Sequence, residues 1–312
     1  MAERRIPRGT DNNGLLLGDL VEGTRVGELV IVERLGARGT GHLCKAEHRV
    51  LPRTATLHVL PAAEGALRPV AHELLREACV IDAVDHPGMP RVFDCGLLPD
   101  RRPWIASEWI EGQTVAHVLE AGQVSIADVL TIVRDVAEIL AEAHRRGLVH
   151  CHVTPGSIVL PAQLRRFPLC LVDWVGVRTH DSSGPLPLVV GSRYSAPEQT
   201  NGIAVEARSD VFALGRIGKD LLACARNEEV SPLLVALLDS MTATHRDARP
   251  TSLEVRNTAA WLIAELAAED EGAAEAPAAS GVPEPASETT VRSAPITSEF
   301  AAEVAGEITP RS

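Results

Sequence analysis

The spacing of apolar residues changes once along this chain of 312 residues, and that change limits the fold more than any other feature. Between residues 26 and 60, apolar and polar positions alternate in short β-branched runs, VGELVIVERLG, GHLCKAEH and TATLHVL, separated by glycine-containing or polar breaks. A period of two is what a half-buried strand requires, and breaks of this kind are what antiparallel turns require. From about residue 113 the spacing becomes helical. Ile126, Val129, Leu130, Val133, Val136, Ala137 and Leu140 recur at three and four residues, which gives SIADVLTIVRDVAEILAEAHRRG one apolar face. The same reasoning predicts helices over DVFALGRIGKDLLACA, SPLLVALLDSM and TSLEVRNTAAWLIAELA. A β-rich first third followed by an α-rich remainder predicts an α+β chain of two lobes with a cleft between them.

Charge divides the chain differently. Lys and Arg number 30 against 42 Asp and Glu, a formal charge of −12. Residues 269–312 carry nine acids and two Arg, a net of −7, so the preceding 268 residues carry only −5. This Ala/Glu/Pro/Ser-rich segment holds too little apolar surface to offset the entropy of ordering it, and it reads as a disordered acidic tail. Residues 1–24 read as an irregular N-terminal segment. The acidic balance excludes nucleic acid as a partner, which needs a clustered basic face. No run approaches the roughly 18 apolar residues of a membrane span. The six cysteines (44, 79, 95, 151, 170, 224) show no C-x-x-C spacing, and MAERRIPRGTDNNG lacks the apolar core of a signal peptide, so a reducing cytoplasm is the expected location.

Ten short segments then fall in one order: LGARGTGHLCKAEH (35–48), TLHVL (56–60), LLREACVI (74–81), DHPGMPRV (85–92), SEWIEG (107–112), VHCHVTPGSIVL (149–160), LVDWVGVR (171–178), GSRYSAPEQ (191–199), SDVFALG (209–215) and RDARPT (246–251). Together they make the chain resemble the bacterial, eukaryotic-like Ser/Thr protein kinases. The resemblance implies a bilobal protein-kinase fold, with a small β-rich N-lobe over 25–107 and a larger helical C-lobe over 108–268. Fold does not by itself license function, so the positions that carry the chemistry decide.

Such a kinase needs a phosphate-holding Lys, a catalytic Asp, a metal-binding Asn and a metal-binding Asp. At the matching positions this sequence carries His58, His152, Ser157 and Asp173. His58 stands for the Lys in the strand Ala55-Thr56-Leu57-His58, and an imidazole is shorter and mostly neutral near pH 7. Glu77 matches the helix Glu that pairs with that Lys. Gly36 and Gly41 match two glycines of the phosphate loop, with Arg38 in place of another, and Thr56 narrows the adenine position. By the resemblance, Gly36, Gly41, Glu77 and Asp173 are the residues left to form an ATP and Mg²⁺ cleft, with Asp173 the one candidate metal ligand; neither cofactor is required. His150, Glu198, Asp210 and Arg249 match positions that hold the fold together. Glu198 and Arg249 imply a buried ion pair, Asp210 a brace on the catalytic-loop backbone, and Ile81, Val92, His150 and Trp174 a stack that links the lobes.

Scaffold kept and chemistry replaced is the pattern of a pseudokinase, a regulatory or scaffold protein in Ser/Thr phosphorylation signalling. The alternative is a low-activity or unconventional ATP-dependent Ser/Thr kinase, with His152 as base, Asp173 on Mg²⁺, and Lys45 or His58 at the phosphates. A transition-metal site of His58, His152 and Asp173 is disfavoured, because the family spacing is too wide for ligands at about 2 Å. Cys151 replaces the Arg that receives an activation-loop phosphate, which leaves Thr179, Ser182 and Ser183 without that partner. In the tail, Thr289 and Thr290 of SETTVR are candidate acceptors for an active Ser/Thr kinase and for capture by a forkhead-associated domain, with a solvated linker the plainer reading. Ile296, Phe300, Val304 and Ile308 repeat at four residues, the spacing of a helix that forms in a partner's groove or of one that binds nothing.

Overall fold

The computed structural model describes residues 20–38, 41–60, 78–174, 177–179, 192–201, 205–225 and 230–275. Glu77, Val175, Ser182, Ser183, Thr289, Thr290 and the repeat at 296–308 lie outside them.

The N-terminal lobe is one antiparallel sheet of strands β1 (Arg25–Val26), β2 (Leu29–Arg38), β3 (Gly41–His48), β4 (Thr54–Val59), β5 (Val92–Leu97) and β6 (Pro103–Glu108) in the order β1-β2-β3-β4-β6-β5. Its period-two runs put Val26, Ile31, Cys44, Ala46, Ala55, Leu57 and Trp104 into one small core. Leu20, within the stretch read as irregular from sequence, is 2% exposed and belongs to that core. Residues 78–82 are helical (α1), and Ile81 there packs into the core of the C-terminal lobe.

The C-terminal lobe is built on helices α2 (Val115–Ala121), α3 (Ile126–Arg145), α4 (Pro197–Thr200), α5 (Ala207–Cys224), α6 (Pro232–Met241) and α7 (Ser252–Glu275). Helix α3 begins at a reciprocal cap: the Asp128 N–H donates to Ser125 Oγ at 3.1 Å, and the Asp128 carboxylate accepts from the Ser125 N–H at 3.2 Å. Its apolar face is buried between α5 and α7, with Val129, Val133, Val136 and Leu140 all fully enclosed. Helix α5 carries glycines in its middle because α6 crosses it closely: a Cβ at Gly215 would lie 2.7 Å from the Met241 Cβ. Helix α7 runs through Glu275, seven residues into the segment read as tail. The Ala- and Glu-rich sequence there favours helix without needing a packed face.

Two small sheets complete the lobe beside the cleft. Strands β7 (Gly112–Thr114), β9 (Ile158–Pro161) and β10 (Cys170–Leu171) form one, and β8 (Leu148–Val149) pairs with β11 (Arg178–Thr179) in the other. They set the turns before and after residues 150–157 and 172–174.

Glu198 and Arg249 form the most heavily bonded ion pair described in this lobe. Arg249 Nη1 and Nη2 donate to Glu198 Oε1 and Oε2 at 2.7 and 2.9 Å, and the guanidinium is also held by the carbonyls of Ala243, Thr244 and Arg208. Ser209 Oγ donates to the same carboxylate at 2.7 Å. Despite burial, these donors hold the Glu198 carboxyl below its usual range. Removing one partner of such a pair leaves a buried charge, so Arg249→Ala is expected to cost about 3–5 kcal/mol of unfolding free energy in urea titrations.

Asp135 on α3 is the opposite case. It is 2% exposed; Arg134 Nε donates to its Oδ1 at 2.7 Å, but Oδ2 finds no hydrogen-bond partner, and burial outweighs the arginine and pushes the carboxyl pKa up. A raised folded pKa means that the folded state loses stability as pH rises from the unfolded value, about 3.9, through the folded one. Asp135→Asn is therefore expected to raise the urea midpoint at pH 7 and to leave it nearly unchanged at pH 3; equal gains at both would refute the charge argument.

Candidate functional site

A cavity of about 370 Å³ lies between the lobes. Leu35, Leu43, Thr56, His58 and Ile105 line it from the sheet, Val159, Val172, Asp173 and Trp174 from the other lobe, and Trp109 and Ile110 from the connector after β6. The strand register explains the first group. His58 stands opposite Leu43 on β3 and Ile105 on β6, and directly opposed residues in a sheet point to the same face. His58 is 4% exposed, and its Nδ1 lies 3.7 Å from Asp173 Oδ1. The contact joins one lobe to the other at the inner end of the cleft, and it is an ion pair when the imidazole is protonated.

Asp173 reaches this place from a backbone with φ 70°, in the left-handed region that a residue with a Cβ occupies only when its surroundings impose it. The surroundings are explicit. The Leu171 N–H donates to the Gly88 carbonyl at 2.9 Å, and the Val172 N–H to the Ser157 carbonyl at 2.8 Å. Trp174, 4% exposed, donates from Nε1 to the Leu171 carbonyl at 2.6 Å and packs on the His150 ring with centroids 4.6 Å apart. Trp174 and Ile81 belong to the core cluster against which Val92 also packs, so the stack continues across the lobes.

The loop from His150 to Ser157 is set by Asp210 at the start of α5. Its carboxylate accepts the backbone N–H groups of His150 and Cys151 at 2.8 Å each, and pairs with His144 Nε2 at 2.9 Å. Those bonds hold Cys151 at φ 66°, a second left-handed non-glycine residue. His144, in the last turn of α3, in turn contacts Ser252 Oγ at 2.8 Å. The sequence motifs did not single out His144; its only signal is a polar residue at the end of a helix whose neighbours are buried.

His150 is fully buried and uses both ring nitrogens: Nε2 donates to the Val172 carbonyl at 3.1 Å, and Nδ1 accepts from the His152 N–H at 3.3 Å. This fixes the neutral Nε2–H tautomer, and burial pushes the pKa down.

Ser157 is also fully buried, and its hydroxyl is spent within the loop, donating to the Thr154 carbonyl and accepting from the Thr154 N–H at 2.9 Å each. Neither Ser157 nor His152 is among the described residues that line the cavity. Gly36 sits at φ 120°, and Gly41 lies under β4, where a Cβ would come 2.3 Å from the Val59 carbonyl oxygen. Lys45, offered from sequence as a relocated phosphate-binding Lys, is not at the His58 end. It faces Thr56 in the register and puts Nζ 4.7 Å from the Trp109 ring centre, at the connector. Leu43 and Lys45 share a strand face, but a long cation beside an indole takes the ring.

The connector has its own anchor that the motifs did not show. Glu108 is held by Arg165 through two bonds of 2.6 and 3.2 Å, which lower its carboxyl pKa despite burial.

The family's ligand, a Mg²⁺-bound triphosphate, can be tested against these groups. Among the described residues no Lys or Arg lines the cavity, the Ser157 hydroxyl is committed to Thr154, and Asp173 faces His58. No cluster of three metal-ligating side chains occurs among the described residues. This donor set does not fit the group. As a check on the site's protonation, stability should fall as pH drops below about 6.5, where the unfolded histidines bind protons that buried His150 resists. The slope of unfolding free energy against pH between 7 and 5 should be smaller in His150→Phe; equal slopes would show that His150 titrates normally.

No family model matches the chain. Among curated proteins it is 28% identical over 195 residues to the Ser/Thr-protein kinase pkn2 of Myxococcus xanthus, an alignment that covers 61% of this chain and 23% of that kinase. It is 32% identical over 215 residues to the Ser/Thr-protein kinase PknF of Mycobacterium tuberculosis, covering 65% of this chain and 44% of PknF. The chain thus spans less than half the length of these relatives. Among solved structures, the M. tuberculosis PknI kinase domain superposes with a TM-score of 0.60 at 26% identity, covering 80% of this chain and all of that domain. No helix among the described residues is long and apolar enough to cross a membrane. The lobes, the loop held by Asp210 and these likenesses agree on one conclusion: the chain has the protein-kinase fold, and the curated proteins it resembles are bacterial Ser/Thr protein kinases.

Proposed function

We propose that this protein is a cytoplasmic pseudokinase, a kinase-fold regulator or scaffold in bacterial Ser/Thr phosphorylation signalling that transfers no phosphate itself and needs no cofactor. The observation that carries the reading is the commitment of the groups at the chemical positions to one another. The Ser157 hydroxyl is tied to Thr154, the His152 N–H to His150, and Asp173 faces His58 across the cleft. A positioned general base is worth about 10²–10⁴ in rate, and His152 is not among the described residues that line the cavity. The rigid parts, Asp210 on the loop and Glu198 on Arg249, keep a surface that other signalling proteins can recognise. An active kinase that modifies Thr289 or Thr290, followed by a forkhead-associated domain that captures the phosphothreonine, would couple the acidic tail to such a pathway.

A second reading, a weak Ser/Thr kinase, draws on two facts: the relatives bear that name, and Asp173 lines the cavity. The two separate in a phosphotransfer assay on the purified full chain with Mg²⁺ or Mn²⁺ and a generic acceptor protein. The expected result is no incorporation above that of Asp173→Ala, and measurable transfer only after His58→Lys, His152→Asp and Ser157→Asn are combined. Incorporation by the unaltered protein that Asp173→Ala abolishes would establish the kinase reading instead.

A further inference from the structure

Helix α7 is accounted for by the fold on one side only. Val255, Ala259 and Leu262 are buried in the core beside α3. The outer side carries Leu253, Asn257, Ala260, Trp261 and Ala264, all exposed, with Leu253 at 51% and Trp261 at 50%. At 3.6 residues per turn these five share one arc of about 100°. None is charged, and a large indole half in water on an uncharged helix face is a surface suited to being covered. Its two borders differ. Glu254 and Glu265 stand on one, and Arg256, one turn before Ala260, stands on the other, with a buried Nε that has no hydrogen-bond partner among the described residues.

We propose that residues 296–308 of this chain dock on that face as an antiparallel helix. The contact is independent of whether the protein transfers phosphate, so it stands apart from the regulatory reading. Pattern, reach and charge select this occupant. Ile296, Phe300, Val304 and Ile308, four residues apart, make a single i±4 ridge. On α7 the row Leu253-Asn257-Trp261 and the row Arg256-Ala260-Ala264 bound an i±4 groove whose alanines let another helix approach closely, and a ridge of that kind packs into such a groove. Reach follows from where α7 stops. It ends at Glu275, and 20 residues, 276–295, separate it from the ridge. A flexible spacer of that length has an r.m.s. span of about 25 Å. The way back along α7 from Glu275 to Trp261 is about 21 Å. A linker whose span matches the distance gives its segment the greatest effective concentration, about millimolar, an advantage that a separate partner lacks. Charge sets the orientation. Glu299, Glu303 and Glu307 each precede an apolar residue of the ridge, so a row of carboxylates borders it. With the helices antiparallel this row falls on the Arg256 border, where a guanidinium has a bond to make; with them parallel it would fall against Glu254 and Glu265.

Hydrogen exchange read by mass spectrometry on the full chain tests the contact. Amides within 298–308 should exchange at least about tenfold more slowly than in a free peptide of that sequence, roughly 1.4 kcal/mol of protection, and equally at two protein concentrations. The protection should be lost in Phe300→Asp and in Trp261→Ala, with the α3 amides unchanged in both. Free-peptide exchange rates in the unaltered chain, or protection that survives either substitution, would overturn the proposal. Protection that rises with protein concentration would also overturn it, because a second copy would then be the occupant. Phe300 lies beyond α7, so the Phe300→Asp arm decides the matter even if the Trp261→Ala protein does not fold.

Discussion

Asp210 is one buried carboxylate whose two oxygens accept the N–H groups of His150 and Cys151 and meet His144. Two backbone donors in a row on one acidic group fix the start of the loop, and they do so with Cys151 in a conformation that costs energy in isolation. Everything inward depends on that start. His150, set by it, receives the His152 N–H on one nitrogen and holds the Val172 carbonyl with the other; Val172 and its neighbours aim Asp173 into the cleft. The second anchor, Glu198 with Arg249, fastens the beginning of α4 to the turn before α7 and keeps α5, which carries Asp210, in place through Ser209.

The energetics of the two regions differ for a physical reason. In the scaffold the Asp210 and Glu198 carboxylates each have several donors around them, the condition under which a buried ion is tolerable. In the cleft the ionisable groups face one another across the lobes, His58 from the sheet and Asp173 from the loop after β10. That contact joins the two lobes directly at the inner end of the cleft.

Much of this was legible in the sequence because it rests on local periodicity. The helical stripe of α3, the alternation of β2 to β4 and the order of short motifs all follow from neighbours in the chain, and Glu198, Asp210, Arg249, His58 and Asp173 could be named because the motifs that hold them resemble those of the Ser/Thr protein kinases. What was not legible is what depends on distance in sequence and closeness in space. Lys45 looked able to serve the inner cleft from its strand face, yet Trp109, more than sixty residues on, takes its ammonium. Ser157 stands where the resemblance puts a metal-binding Asn, and only the structure shows that the loop turns its hydroxyl back on Thr154. Glu108 with Arg165, and His144 with Asp210 and Ser252, join residues whose surrounding sequence carries no sign of the partner.

The sequence by itself determined the two-lobed α+β architecture and the residue types at each chemical position, because hydrophobic period and motif order are written in consecutive residues. Only the tertiary structure decided which of those residues enter the cleft, which spend their polar atoms on the loop, and that no described Lys or Arg lines the cavity. Those outcomes come from packing between elements far apart in the chain, where a shift of a few ångströms decides whether a side chain meets the cavity or a backbone carbonyl.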